Sequence, residues 1–122
     1  AFAQAYPSKP IRIIAPYAAG GAADLMGRYM CEKFPQSMGQ PCVVENRPGA
    51  GGIIATEATA KAPADGYNYL IVTVGHAVNP SLYAKLPYDT MADLAPVAMV
   101  ASVPNLLVVH PSVPVHSVME LV

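Results

Sequence analysis

Charged residues are scarce in this sequence, and no stretch of it is strongly basic. Only 12% of the 122 residues are Asp, Glu, Lys or Arg, and the formal net charge is −1. A chain with so few charges and with 53% hydrophobic residues can bury a core, which argues against a disordered protein. Because nucleic-acid-binding domains carry a basic patch, the composition also argues against a nucleic acid as a partner.

Long apolar runs and catalytic signatures are missing too. No apolar run approaches the roughly 20 residues that span a bilayer as a helix. His76, His110 and His116 are not spaced as metal ligands, and two cysteines alone do not make a metal site. No serine lies in a nucleophile elbow, and no pair of carboxylates favours acid–base chemistry. The sequence therefore predicts no metal, no cofactor and no enzymatic activity.

The amino terminus and the two cysteines both fit an exported protein. Ala3-Gln4-Ala5 has the small-x-small form of a signal-peptidase site, so we interpret residues 1–5 as a signal-peptide remnant, with an ordinary chain terminus as the alternative. In an oxidising compartment Cys31 and Cys42 can pair across a short loop, which would add roughly 2–3 kcal/mol. A pair of buried thiols is the alternative.

Strand and helix patterns alternate through the first two thirds of the chain. Strands are predicted at 11–15, 42–46 and 67–74 from β-rich apolar runs, and a second helix at 53–62. The first helix is predicted from apolar residues at helical spacing between Leu25 and Phe34, and Pro35 is expected to end it. This order predicts an α/β fold with a parallel sheet and right-handed crossovers.

The last third of the sequence has a different pattern. Residues 95–111 hold two β-like runs separated only by residues 103–105, so we expect paired or continuous strands at one edge of the sheet. Residues 117–122 begin like a helix, with Ser117 at the N-cap and Glu120 three positions later as a capping box.

The link after the first strand, residues 17–23, contains almost no reactive side chain. Gly20 and Gly21 let a ligand approach the backbone, and the first N–H groups of the following helix lack internal partners. Ligands of parallel sheets bind beyond the carboxyl ends of the strands. The link therefore predicts a backbone site for a carboxylate or phosphate, with Asp24 as a cap. A merely compact connection is the alternative.

Two further links end at the same edge of the predicted sheet. The segment "NRPGAGG", residues 46–52, can expose N–H groups, and its Arg47 would pair either with an anion or with Glu45. After the third strand we expect a loop in which Thr73, His76 and Asn79 offer hydrogen bonds to a small polar ligand. For His76 the alternative is a loop histidine bonded to backbone.

Several motifs together resemble one family. The pattern P-x-x-x-G-G-x-x-D at residues 16–24, "ENRPGAGG" at 45–52 and "ADGY" at 64–67 are typical of the periplasmic substrate-binding receptors of the tripartite tricarboxylate transporter, also called the Bug family. The resemblance extends from residue 6 to residue 122. It implies a type II periplasmic-binding-protein-like fold, with residues 6–111 as the three-layer first lobe and 112–122 as the start of the crossover toward a second lobe.

The resemblance also implies a function. Such receptors are periplasmic and not enzymatic, and they pass a mono- or dicarboxylate or an aromatic acid to membrane permease subunits. Carried onto this chain, the ligand contacts would be Tyr17, Ala18, Gly20 and Gly21, with further contacts from Thr73, Gly75 and His76.

Two departures from the family pattern affect these expectations. The first loop often carries prolines and a phenylalanine in the family, whereas here it reads Tyr17-Ala18-Ala19. Family receptors have two lobes, whereas this chain has the length of one, so we expect exposed apolar surface and a homo-oligomer. The alternative function is a truncated receptor that serves as a self-associating structural or interaction protein without ligand binding.

Overall fold

Three parallel strands form the sheet of this protein, in the order β2-β1-β3. The computed structural model describes residues 6–104 and 106–122. The strands are β1 (Ile11–Ala15), β2 (Cys42–Asn46) and β3 (Asn68–Leu70), and the helices are α1 (Ala22–Met38), α2 (Ile53–Ala60), α3 (Val74–Leu82) and α4 (Val118–Leu121). The predicted parallel α/β fold is confirmed. The predicted signal remnant, residues 1–5, lies outside the described residues, as does Asn105 of the predicted edge strands.

The central strand β1 forms the core. Ile11, Ile13 and Ala15 are fully buried and Ile14 is 2% exposed, because β1 has a strand on each side and helices over it.

The two crossovers run in opposite directions across the sheet. The chain passes from β1 to β2 toward one edge of the sheet, and from β2 to β3 toward the opposite edge. Right-handed crossovers in opposite directions place α1 and α2 on opposite faces, which gives three layers and makes β1 the point where the strand order reverses.

Helix α1 extends beyond the residue that was expected to end it. Pro35 lies inside the helix, which continues to Met38, so the prediction that Pro35 closes it is wrong. Proline removes only its own N–H, and the next turn still closes when the Gly39 N–H donates to the Pro35 carbonyl at 3.1 Å. Gly39 then ends the helix with φ of 70°, a left-handed conformation that favours glycine.

The third strand is shorter than predicted, and a helix replaces the predicted loop after it. The Ile71 N–H still donates to the Ile14 carbonyl at 3.0 Å, but β1 ends at Ala15 and offers no partner beyond it. The chain therefore leaves the sheet, and α3 begins at Val74. Helix α2 also ends earlier than predicted, at Ala60, although the Ala62 N–H continues the turn to the Thr59 carbonyl.

The strands predicted at residues 95–111 are not found. Among the described residues, no strand or helix lies between Leu82 and Val118. A β-rich run becomes a strand only when a neighbouring strand takes its N–H and C=O groups, and these residues have no such neighbour. Their apolar side chains are exposed instead, as at Val97 (77%) and Leu106 (84%).

The amino-terminal end of α4 and the two cysteines have the partners that the sequence suggested. Ser117 caps α4 by accepting the Glu120 N–H at 3.3 Å, as predicted, while the Glu120 carboxylate accepts the N–H of His116, one residue earlier than the usual capping box. Cys31 and Cys42 form a disulfide, which joins α1 to the first residue of β2. Within the described residues, no helix is both long and apolar enough to cross a bilayer.

Candidate functional site

A small cleft opens at the carboxyl edge of the sheet. Its cavity volume is about 10 Å³, enough for one water molecule. The segments that follow all three strands line it: Pro16, Tyr17, Gly51, Gly52, Thr56, Val72, Thr73, His76 and Asn79. None of these residues is an acid, a lysine or an arginine. A ligand here would meet hydroxyl, imidazole, amide and peptide groups.

Tyr17 connects the segments around the cleft. Its hydroxyl lies 2.7 Å from the Thr73 Oγ1, at the start of α3, and its carbonyl accepts the Asn46 Nδ2 at 3.1 Å, at the end of β2. The link after β1 is therefore fastened to the links after both neighbouring strands. The predicted convergence of Tyr17, Thr73 and His76 at one edge is present in the structure.

The first turn of α3 keeps free backbone donors. Thr73 is the N-cap residue, but its side chain does not cap the helix, because it bonds Tyr17 instead. The His76 N–H donates to the Thr73 carbonyl at 3.0 Å, whereas the N–H groups of Val74 and Gly75 find no acceptor within the described part of the chain. At Gly75 an added Cβ would lie 3.4 Å from the Tyr17 hydroxyl, which places this residue beside the Tyr17–Thr73 pair.

The loop before α1 uses its own glycine donors internally. The Gly20 N–H donates to the Asp24 Oδ2 at 2.8 Å, and the Gly21 N–H donates to the Ala18 carbonyl at 3.4 Å. The first three N–H groups of α1, at Ala22, Ala23 and Asp24, have no acceptor among residues 6–104 and 106–122, since the first helical bond is from the Leu25 N–H to the Gly21 carbonyl. The assignment of Ala18, Gly20 and Gly21 as ligand contacts stays a prediction.

Asp24 holds this loop in place. It is 2% exposed, and its Oδ2 also accepts the Arg28 Nε at 3.0 Å. The Arg28 hydrogen bond, followed by the Gly20 N–H, lowers the pKa of Asp24 from 3.8 to about 2. Asp24 therefore does not cap α1 as predicted, because no side chain bonds the N-cap residue Gly21. Its carboxylate instead joins the loop before the helix to the side chain of Arg28, four residues further along.

His76 lies in α3 and not in the predicted loop. Its ring is stacked on that of Tyr88, with 6.3 Å between centroids and 10° between planes. Its Nδ1 is buried and has no hydrogen-bond partner among the described residues. Burial lowers the pKa of His76 below its usual 6.5, so the imidazole is neutral at pH 7. A neutral ring can donate or accept a hydrogen bond, but it brings no charge to the cleft.

The other polar residues of these links have internal partners. Arg47 pairs with Glu45, with 2.5 Å from Nε to Oε1, and Glu45 also accepts from Arg12, so the acid partner expected for Arg47 is the one observed. Asn79 is buried in α3 and donates to the Gly51 carbonyl at 3.2 Å, which fastens the helix to the link after β2. No cluster of three or more His, Cys, Asp or Glu that could hold a metal occurs in the described residues.

Sequence reasoning missed the role of Asn46. It was assigned to the end of β2, but its bond to the Tyr17 carbonyl was not predicted. The available signal was a polar amide as the last residue of a parallel strand, next to the strand that carries the glycine link.

Comparisons with known proteins place the chain in a family. Residues 26–122 match the family described as tripartite tricarboxylate transporter family receptor. The protein BugT of Bordetella pertussis is 44% identical over 122 residues, which cover 98% of this chain and 37% of BugT.

Solved structures agree with this match. An R. palustris protein with adipate is 40% identical, with a TM-score of 0.84. The matched region covers 95% of this chain and 39% of the R. palustris chain. The periplasmic binding protein BugD is 39% identical (TM-score 0.69; 72% and 29% covered), and MatC from Rhodopseudomonas palustris, with bound malate, is 31% identical (TM-score 0.73; 78% and 33% covered). This chain therefore spans 29–39% of the length of these four proteins. The predicted fold class is confirmed, and the chain covers part of one lobe.

Proposed function

This chain belongs to the tripartite tricarboxylate transporter receptor family, also called the Bug family, and from that premise we propose that it supplies the carboxylate-holding edge of a periplasmic solute-binding protein. The cargo would be a small organic acid, since two related structures contain adipate and malate. We further propose that the protein is not an enzyme and that it passes the acid to membrane permease subunits.

The cleft at the carboxyl edge carries this proposal. A carboxylate needs hydrogen-bond donors, and the cleft brings together the hydroxyls of Tyr17 and Thr73 with the free N–H groups at the start of α3. Aligned peptide dipoles give such a helix start a partial positive charge. No acidic side chain lines the cleft, so no negatively charged side chain there opposes an anion.

The proposed contacts are divided between two links. Ala18, Gly20 and Gly21 belong to the link before α1, and Gly75 and His76 belong to the start of α3. Residues 6–111 would form the first lobe, and residues 112–122 would begin the crossover toward a second lobe. The oligomer expected from the sequence stays a prediction, and light scattering over a range of protein concentrations tests it.

Calorimetric titration of the full-length protein tests the proposed function. Adipate and malate are the probes, and adipamide, which has the same chain as adipate but no charge, is the control. We expect a saturable response to at least one acid and none to adipamide. At 100 times its Kd, a ligand adds about 2.7 kcal/mol to the free energy of unfolding, so a thermal melt gives an independent readout.

A flat response to a panel of mono-, di- and aromatic carboxylates would contradict the proposal. The alternative, a self-associating structural protein without ligand, would then be favoured if the melting temperature rose with protein concentration. The comparisons give that alternative no support, because the relatives are named as a transporter receptor family and as proteins with bound acids.

A further inference from the structure

We propose that Tyr17 and Thr73 form an exchangeable hydroxyl pair: the two hydroxyls bond each other in the empty cleft and both donate to a carboxylate when it enters. This inference rests on the proposed function and goes further, because it makes Tyr17 a specificity-determining residue for ionised acids over uncharged analogues.

The geometry of the pair leaves one proton unused. The Tyr17 hydroxyl and the Thr73 Oγ1 are 2.7 Å apart, and either can be the donor. Each hydroxyl carries one proton, and the bond between them uses only one of the two. Neither hydroxyl has another partner among the described residues, so a second donor is present at the same place.

The pair lies in the wall of the cleft and not behind it. Tyr17 and Thr73 both line the cavity, and the position of a Cβ on Gly75 would be 3.4 Å from the Tyr17 hydroxyl. The pair therefore borders the cavity beside the first turn of α3, where the Val74 and Gly75 N–H groups lack acceptors among the described residues.

Both hydroxyls can change partner while the backbone stays in place. The Asn46 Nδ2 holds the Tyr17 carbonyl at 3.1 Å, which fixes the backbone of this residue independently of its hydroxyl. Thr73 is fixed by its own carbonyl, which accepts the His76 N–H at 3.0 Å. Exchange then needs only rotation of two C–O bonds and a small movement of the Tyr17 side chain, and residue 17 is 37% exposed.

The exchange favours ionised ligands. A hydrogen bond to an ionised acceptor is roughly twice as strong as one between neutral groups. Breaking one neutral bond to form two bonds to a carboxylate is favourable, whereas an amide oxygen offers only neutral bonds in return. The pair thus slightly lowers the affinity of the cleft for uncharged ligands and raises its affinity for carboxylates.

Three substitutions in the full-length protein test the pair, with adipate, malate and adipamide as probes in calorimetric titration. Tyr17→Phe and Thr73→Val each remove one hydroxyl and keep the shape of the side chain. We expect each to raise the Kd of the acid that the unchanged protein binds by about tenfold or more. Thr73→Ser keeps the hydroxyl and should stay within about threefold of the unchanged protein.

A second readout separates this role from a purely structural one. A pair that only fastened the loop would lower the melting temperature of the ligand-free protein and leave the Kd of the acid nearly unchanged at temperatures where the protein is fully folded. We expect Tyr17→Phe and Thr73→Val to lower the ligand-free melting temperature modestly, because the bond between the two links is lost, and in addition to raise the Kd of the acid at temperatures where the protein is fully folded.

The outcomes also separate this inference from the proposed function. If the unchanged protein binds an acid and Tyr17→Phe binds it equally well, the hydroxyl pair is refuted while the proposed function stands. Equal losses in Thr73→Val and Thr73→Ser would refute it as well, because serine retains the donor. If the unchanged protein binds no acid at all, both proposals fall.

Discussion

Opening the disulfide between Cys31 and Cys42 should lower the stability of this protein by an amount that follows from its loop length. The two residues are 11 positions apart, and the chain-entropy relation ΔS ≈ −2.1 − 1.5R ln n then gives about −9 cal/mol/K. At 25 °C this corresponds to about 2.8 kcal/mol in the free energy of unfolding. The bond fastens α1 to the first residue of β2, so the constraint acts on two elements that pack together.

The same value predicts a shift of the melting temperature. Unfolding entropies near 60 °C are about 2.1 cal/mol/K per residue, which for 122 residues gives about 0.26 kcal/mol/K. Dividing about 2.8 kcal/mol by this entropy gives a decrease of about 11 °C. Such a shift is well outside the error of a thermal melt followed by circular dichroism.

The assay compares the protein with and without reductant, beside the double variant Cys31→Ser/Cys42→Ser. Thiol titration confirms that the bond is open before each melt. We expect the reduced protein and the double variant to melt at nearly the same temperature, and reductant to leave the double variant unchanged. A fully reduced protein that melts within about 2 °C of the oxidised one would refute the loop-entropy reasoning, which predicts a shift several times larger.

Two further substitutions test the packing and the electrostatics of the scaffold. Gly27→Val should destabilise the protein by about 1–3 kcal/mol in urea unfolding, because even a Cβ there would lie 3.2 Å from the Ile71 Cδ1 and 3.3 Å from a Val44 methyl carbon; an unchanged urea midpoint would contradict this contact. Asp24 has a pKa lowered from 3.8 to about 2, so its stabilising contribution is fully present above pH 3.8 and is lost as the pH falls through about 2. Unfolding measured from pH 5 to pH 2 should therefore show a flatter pH dependence in Asp24→Asn than in the unchanged protein, and identical curves would refute the ion pair.

Local sequence patterns correctly predicted β1, β2 and the start of α1. β1 and β2 have the predicted bounds. β1 is a run of apolar residues with a strand on each side and is buried, and the edge strand β2 pairs with β1 over its full length of five residues. The start of α1 followed from the glycines and Asp24. The end of α1 was not predicted correctly. Pro35 removes one helical hydrogen bond without ending the helix, whereas Gly39, four residues later, ends it in a left-handed conformation.

Elements that depend on a partner were predicted less well. The run 67–74 has the composition of a long strand, but β1 supplies partners only as far as Ala15, so the sheet ends early and Val74 begins a helix. The strands predicted at residues 95–111 do not form for the same reason. Among the described residues, no neighbouring strand pairs with their backbone N–H and C=O groups. Composition sets the preference for a strand, and the partner decides whether one forms.

For the cleft, the sequence predicted which residues meet but not which backbone N–H groups stay free. The rule that parallel strands end at one edge was enough to bring Tyr17, Thr73 and His76 to a common cleft. It could not say which N–H groups stay free, because that depends on side chains that turn back onto the loop. Asp24 accepts the Gly20 N–H, and the free donors are the N–H groups of the first residues of α1.

The charged side chains near this edge pair with one another in the scaffold, and none of them lines the cleft. Arg28 is paired with Asp24, and Arg47 with Glu45, so each arginine is matched within the scaffold by an acid. An arginine left free in the cleft would attract any anion from a distance, whereas hydroxyl and N–H donors act only at hydrogen-bond range and in fixed directions. Under the proposed function, discrimination between acids would depend on the position of each donor. The buried Asp24 carboxylate accepts the Gly20 N–H and so restrains the loop that carries Tyr17.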